Sequence, residues 1–463
     1  MDVIRFATRT LRPISSRTAG KFSLLILSTL VGCSWPRSQP VSHAPEQSVA
    51  DIARATEQIR GLAFKRRVTL SDQPRDANAG DAHGPMAQPT AQGSRVYKRI
   101  GLLAESVDLV QAHSQFSKLQ RAAFYDPGRD LIFLSPQAEK IGQALAGAPP
   151  RDAGAVAAVI ALTHALQEQH FRWQERISGI TLEDRKLAFE AIAEGDATTV
   201  ALRFLKPDQA TAAWADYVQA IGRLTTELER ASSSLPALLR EQLVFPYRDG
   251  TPFVQWAYAA KGWAGVNALF ADPPVASAQI LHPEHYYLHR RAPVQIIPFG
   301  LFRQTQENAL IEQTLGELLI QVLLASSHSR KDAALVASRW SGDHLWAYPE
   351  GENVIIAWLS AWSDEAGAQT FSRAFQMVLE QRHRLRFEAA ARQQDGLKAE
   401  LRTGRSMILQ VRGSVVLLLD GMRAAQALET SDAIWKELEI RTDSPSFPFE
   451  TAKGPIHSSL MRR

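Results

Sequence analysis

The chain has 463 residues, enough for more than one domain and a large buried core. Its 45% hydrophobic and 22% charged residues are ordinary for a globular protein and exclude a disordered or fibrous class. The formal charge of +4 is local: residues 1–32 hold five basic side chains and one acid, leaving 47 of each elsewhere, so nothing in the balance points to nucleic acid.

Arg5, Arg9, Arg12, Arg17 and Lys21 lead into residues 22–31, FSLLILSTLV. Ten mostly apolar residues are too few to span a bilayer but suit the core of a signal peptide. The run ends in Leu30-Val31-Gly32-Cys33, which resembles the bacterial lipobox, where cleavage precedes a cysteine that receives lipid. Cys33 is the only cysteine, so no intramolecular disulfide is expected. Lipid there would attach the protein to a membrane by acyl burial, at about 0.8 kcal/mol per methylene. The next residue is Ser34 rather than the aspartate that resembles an inner-membrane retention signal. The expected location is the bacterial cell envelope, at the outer membrane in a Gram-negative cell.

Residues 33–56 read as a tether, rich in proline and serine over 34–49. Residues 57–335 read as a mostly helical domain carrying a Gly/Pro/Ala/Asp-rich flexible insertion over 71–95. Within it, Asp126-Pro127-Gly128 predicts a turn before a short strand, LIFL. Helices are expected over 252–270, with Pro252 at the start, and over the apolar stretch 309–326. Residues 336–440 change character: hairpin then helix, twice, with Gly413 in the second turn. That pattern predicts an antiparallel sheet with helices on one face, and residues 441–463 as an extension. The expected fold class is therefore α+β, a helical domain followed by a hairpin–helix–hairpin–helix tail.

The stretch ALTHALQEQHF, residues 161–171, carries the chemistry question. In an HExxH zinc site, two histidines at i and i+4 point about 40° apart on a helix, so both reach one metal. The glutamate at i+1 is the general base that acts on the metal-bound water. Here His164 stands at the second histidine position, but the first is Ile160 and the base position is Ala161. His170 lies about 240° around the helix from His164 and cannot substitute. Glu168, at i+4 from His164, could share its face but reads as a solvated helix residue.

The frame around these positions resembles a family of predicted bacterial and archaeal zinc metallopeptidases, often secreted or lipid-anchored. Their helix reads His-Glu-Leu-Thr-His-Ala-Leu-Gln-Asp-Gln, against Ile160-Ala161-Leu162-Thr163-His164-Ala165-Leu166-Gln167-Glu168-Gln169 here. QIRGLAFKR (58–66), AFYDP (123–127) and AIAEGDAT (191–198) are similar to other stretches of that family. So are KGWAGVNALFADPP (261–274), QILHPEHY (279–286), TLGEL (314–318) and SRWSGDHLW (338–346), and the resemblance covers residues 57–375 outside the insertion. It implies a zincin-like fold and a third metal ligand from Glu-Gly-Asp-Ala, here Glu194. Read alone, Glu194 shares a helix face with Leu187, Ala191 and Thr198, where a carboxylate needs a partner.

Two ligands, His164 and Glu194, fall short of the three protein ligands of a catalytic zinc site. The expectation is a catalytically silent member of that family, with no cofactor, acting as a binding or scaffolding module for a peptide or envelope protein. His164 and Glu194 should then pair at about 3–4 Å, with Ile160 in the space of the missing imidazole. The alternative is an active zinc hydrolase that recruits a substitute ligand, from Glu168 or from His282, His285 and His289. Asp196 reads either as a hydrogen-bond partner near Glu194 or as a surface acid, and Glu317 as inward-facing or cap-like. With Ile160, Glu168, Asp196 and His282, Glu317 completes the cleft candidates. Trp256, Trp263 and Trp340 read as core.

Overall fold

The computed structural model describes residues 48–71, 90–120, 123–134, 136–147, 153–206, 214–297, 309–389, 396–401 and 403–442. The signal peptide, Cys33, most of the tether, most of the insertion and the end of the C-terminal extension lie outside the described residues. The helices are α1 (Val49–Arg60), α2 (Ala91–Arg99), α3 (Leu109–Gln120), α4 (Pro136–Ala146), α5 (Ala153–Phe171), α6 (Trp173–Ser178), α7 (Glu183–Leu205) and α8 (Trp214–Ala231). They continue with α9 (Ala237–Arg248), α10 (Gly250–Ala271), α11 (Ser277–Leu281), α12 (Pro283–Tyr287), α13 (Gly316–Leu324), α14 (Arg330–Ala337), α15 (Glu365–His383) and α16 (Ala424–Glu437). The strands are β1 (Thr69–Ser71), β2 (Ala123–Asp126), β3 (Leu131–Leu134), β4 (Gln295–Ile297), β5 (Ile311–Gln313) and β6 (Trp340–Glu350). After them come β7 (Asn353–Trp362), β8 (Glu388–Ala389), β9 (Gly396–Glu400), β10 (Ser406–Arg412), β11 (Val415–Met422) and β12 (Glu439–Arg441).

Helix α5 opens on the apolar run 153–162, with no polar face there to turn to solvent, and such a segment has to be interior. Nearly every residue from Val156 to Gln169 is buried, and α1, α4 and α7 surround the helix. The approach of α10 to α7 is set by glycine. A Cβ on Gly195 would lie 2.5 Å from the Gly250 carbonyl oxygen, and one on Gly250 would lie 2.3 Å from that of Ala191. Backbone therefore meets backbone one residue after Glu194, which holds the Glu-Gly-Asp-Ala turn of α7 tightly in place.

The tail sheet runs β5-β6-β7-β11-β10-β9-β8. Its two hairpins join through the antiparallel β7–β11 pair. Leu345, Trp358, Leu418 and Leu409 are register partners in turn and line one face. Their neighbours Trp346, Ala357, Leu419 and Ile408 line the other. Phe371 and Phe375 of α15 meet Trp358 edge-on at 5.7 and 5.2 Å on the first face. Ala427 and Ile434 of α16, with Ile296 of β4, cover the second. The expectation of helices on one face is corrected: both faces of the sheet are apolar, so each needs a cover.

Other local corrections have physical causes. The tether ends earlier than expected, because Ser48 caps α1 by accepting the Asp51 amide. The insertion also ends early, with Thr90 capping α2 at Gly93. The apolar stretch from 309 opens as strand β5, paired with β6, before α13 begins. The helix over 252–270 breaks at Lys261-Gly262, where Gly262 takes φ +57°. Strand β12 carries the chain past 440 to pair with β4. One core cluster contains α2, α3, α9 and α13 together with the first sheet face, so no gap in the core falls at residue 335. The described residues belong to one compact unit that starts at Gln47.

Candidate functional site

Helices α5 and α7 place His164 Nε2 3.4 Å from Glu194 Oε1. His164 Nδ1 lies 2.9 Å from Gln167 Oε1. The Gln167 amide nitrogen donates to the Ala193 carbonyl at 2.9 Å and to Asp196 Oδ2 at 3.0 Å. With its nitrogen so occupied, Gln167 offers only an oxygen to the ring, so Nδ1 carries the hydrogen. Burial pulls the His164 pKa down, but the charge and hydrogen bond of Glu194, the Gln167 contact and Asp196 outweigh it, and the net shift is upward. The Trp173 ring stands 5.5 Å from the imidazole, and its indole N–H donates to the His164 carbonyl at 3.4 Å.

Behind this pair lies an ion pair absent from the expected set. Arg60, the last residue of α1, meets Asp196 at 2.9 Å, and both side chains are 0% exposed. The guanidinium lies 4.6 Å over the Trp263 ring and 5.9 Å from that of Phe171. Its two terminal nitrogens have no hydrogen-bond partner among the described residues. Asp196 is therefore no surface acid but the hinge between Arg60 and Gln167. A polar chain runs Arg60–Asp196–Gln167–His164–Glu194, and the Tyr247 hydroxyl bonds to its Glu194 end. Glu194 keeps a side-chain exposure of 22% within an otherwise buried stretch of α7. Glu190, one turn earlier, is buried, and burial together with the Glu194 charge pushes its pKa well up.

Ile160 and Ala161 are 4% and 1% exposed and lie in the same apolar cluster as Ala197 and Tyr247. Glu168 is not solvated as expected. It is buried, and its Oε2 accepts the Gln174 amide of α6 at 2.7 Å. His282 belongs to a second cluster. Its Nε2 sits 2.9 Å from Oε1 of Glu317, a side chain 1% exposed, and Gln321 donates to the same oxygen. Glu317 is thus inward-facing, and burial raises its pKa. The His285 ring is 5.1 Å from that of His282, with its pKa lowered first by burial and then by His282. The groups acting on His164 are Glu194, Gln167 and Asp196; those acting on His282 are Glu317 and Glu284. These are two separate clusters. Among the described residues, no group of three or more His, Cys, Asp or Glu is arranged to hold a metal ion. The donor set of two does not fit a catalytic zinc ion, which takes three.

Trp340 is core and donates to Asp343 together with Trp358. Asp343 also accepts the Leu315 and Gly316 amides, so four donors satisfy this buried carboxylate. Trp256 stacks on Tyr287 and Trp263 faces Arg60, so both touch specific rings or charges rather than only filling space. Arg60, Gln167, Glu190, Tyr247 and Asp343 were not singled out from the sequence. The only trace of Arg60 there is its place in QIRGLAFKR.

No helix among the described residues is long and apolar enough to cross a membrane. A family model described as a domain of unknown function, DUF8575, matches residues 304–431. The match starts before β5 and ends within α16, so it takes in β5 and α13 together with the hairpins. No curated protein matches the chain. No solved structure matches it either.

Proposed function

We propose that this chain is a lipid-anchored envelope protein, a metallopeptidase-like module without peptidase chemistry that binds or scaffolds a peptide or protein partner. One observation carries the reading. The positions where the resembled family has its first ligand and its base are Ile160 and Ala161, both packed into the apolar core. Meanwhile the frame behind the remaining pair is complete: Gln167 orients His164 and Asp196 holds Gln167. Side chains that hydrogen-bond to the far side of a ligand in this way orient metal ligands in active sites. Against the substitute-ligand alternative stand Glu168, committed to the α6 amide, and His282, committed to Glu317.

Elemental analysis of the purified, tag-free chain from Ser34 onward tests the reading. The expected zinc content is far below one per chain. Stoichiometric zinc that a chelator removes with loss of stability would overturn it. The anchor is tested separately. Cys33→Ala should move the protein from the membrane to the soluble fraction, and unchanged membrane association in that variant removes the lipoprotein claim.

A further inference from the structure

A pocket of about 440 Å³ lies between α6, the start of α7 and the Pro273-Pro274 corner after α10. It shares no lining residue with the His164–Glu194 pair. Its volume falls in the range of roughly 300–1,000 Å³ usual for ligand sites. Ile180, Leu182, Phe189, Pro273 and Pro274 give it an apolar wall. Two guanidiniums, Arg176 and Arg185, share the rim, and both residues are exposed. Arg176 is fixed: it lies 5.0 Å over the Phe189 ring and donates to the Phe270 carbonyl. Among the described residues neither arginine forms an ion pair. The one acid in the lining, Glu175, is paired with Arg172. The two like charges act on each other instead, Arg185 adding to the burial that lowers the Arg176 pKa. The nearest acids in sequence, Glu183 and Asp184, are buried and engage other partners, the Tyr97 hydroxyl and the Ser277 amide.

Two uncompensated planar cations beside an apolar wall suit a ligand that is an anion at one end and apolar next to it. A carboxylate matches the guanidinium fork in a bidentate way. We propose that this pocket binds the C-terminal carboxylate of a peptide whose last side chain is apolar. Capture of a terminal carboxylate is a recurring mode of peptide recognition. The site goes beyond the silent-enzyme reading and does not rest on it, since it uses none of the residues of α5.

The test uses the full chain in detergent and a fluorescein-labelled Ala-Ala-Ala-Leu peptide, with a free acid or an amide at its C-terminus, followed by anisotropy. The free acid should bind, and the amide should bind at least about tenfold more weakly, the loss of one charge-assisted contact. Arg185→Gln should weaken the free acid by a similar factor with an unchanged melting temperature, and Arg185→Lys should restore part of the affinity. Equal binding of acid and amide, no binding at millimolar protein, or no effect of Arg185→Gln would overturn the proposal. Inorganic phosphate displacing the peptide at equal concentration would also overturn it, because the apolar wall would then contribute nothing.

Discussion

Asp196→Ala should destabilise the protein by about 3–5 kcal/mol, the cost of leaving a buried charge without its partner. Arg60 cannot reach water, since both side chains of the pair are fully enclosed. Its terminal nitrogens already lack hydrogen bonds, so Asp196 is its only counter-charge among the described residues. Gln167 would lose an acceptor in the same step. For a cooperative unit of this size, the entropy of unfolding translates that loss into roughly 4–6 °C of melting temperature. Arg60→Met alone strands Asp196 and should cost nearly as much. Arg60→Met with Asp196→Leu replaces both charges by apolar side chains of similar volume, which is often close to neutral. The double variant should therefore fall short of the summed losses of Arg60→Met and Asp196→Leu, each made alone, by about 2 kcal/mol or more. Thermal and denaturant melts of the four proteins check the cycle. A loss below about 1 kcal/mol for Asp196→Ala would mean that the pair is solvated, as surface ion pairs are.

Ile160→His with Ala161→Glu should make stability depend on zinc. Two donor atoms at 2.0–2.1 Å from one tetrahedral zinc lie about 3.3 Å apart. His164 Nε2 and Glu194 Oε1 stand at 3.4 Å, and the Gln167 contact already fixes the ring. The two imidazoles would project about 40° apart from α5. Without metal the variant should lose about 1–3 kcal/mol from the polar group at position 160. The larger side chain at the packed position 161 should cost about 1–3 kcal/mol more. Zinc at a hundredfold excess over its dissociation constant should return about 2.7 kcal/mol. The parent should show no zinc-dependent shift. If the double variant fails to fold without metal, Ile160→His alone completes the three ligands at lower strain. Indifference of both variants to zinc would mean that α5 and α7 cannot open enough to admit the ion. Stabilisation of the parent by stoichiometric zinc would favour the substitute-ligand alternative.

Local pattern settled what depends on neighbours a few residues apart. The apolar run that opens α5, residues 153–162, suits an interior helix, whereas Glu168 further along reads as solvated from the sequence and is buried. Apolar runs on either side of Gly351 and Gly413 already specified the two hairpins. The pairing of His164 with Glu194 was legible too, because a carboxylate among Leu187, Ala191 and Thr198 has to find a donor inside.

What reaches across the chain was left to tertiary structure. Arg60 and Asp196 are 136 residues apart, and nothing near Arg60 distinguishes a buried guanidinium from one of the many solvated ones. Residues 311–313, Ile-Glu-Gln, carry no strand pattern of their own, and the open edge of β6 selects strand there. The side on which α16 packs follows from the second face of the sheet, which exists only once β7 and β11 have paired. Asp343 carries no signal of its own in the sequence, and only the fold brings two indoles and two backbone amides to it. Periodicity reports which face of an element is apolar. Which distant group meets a buried charge is decided by packing, because only there does water leave and the need for a partner become absolute.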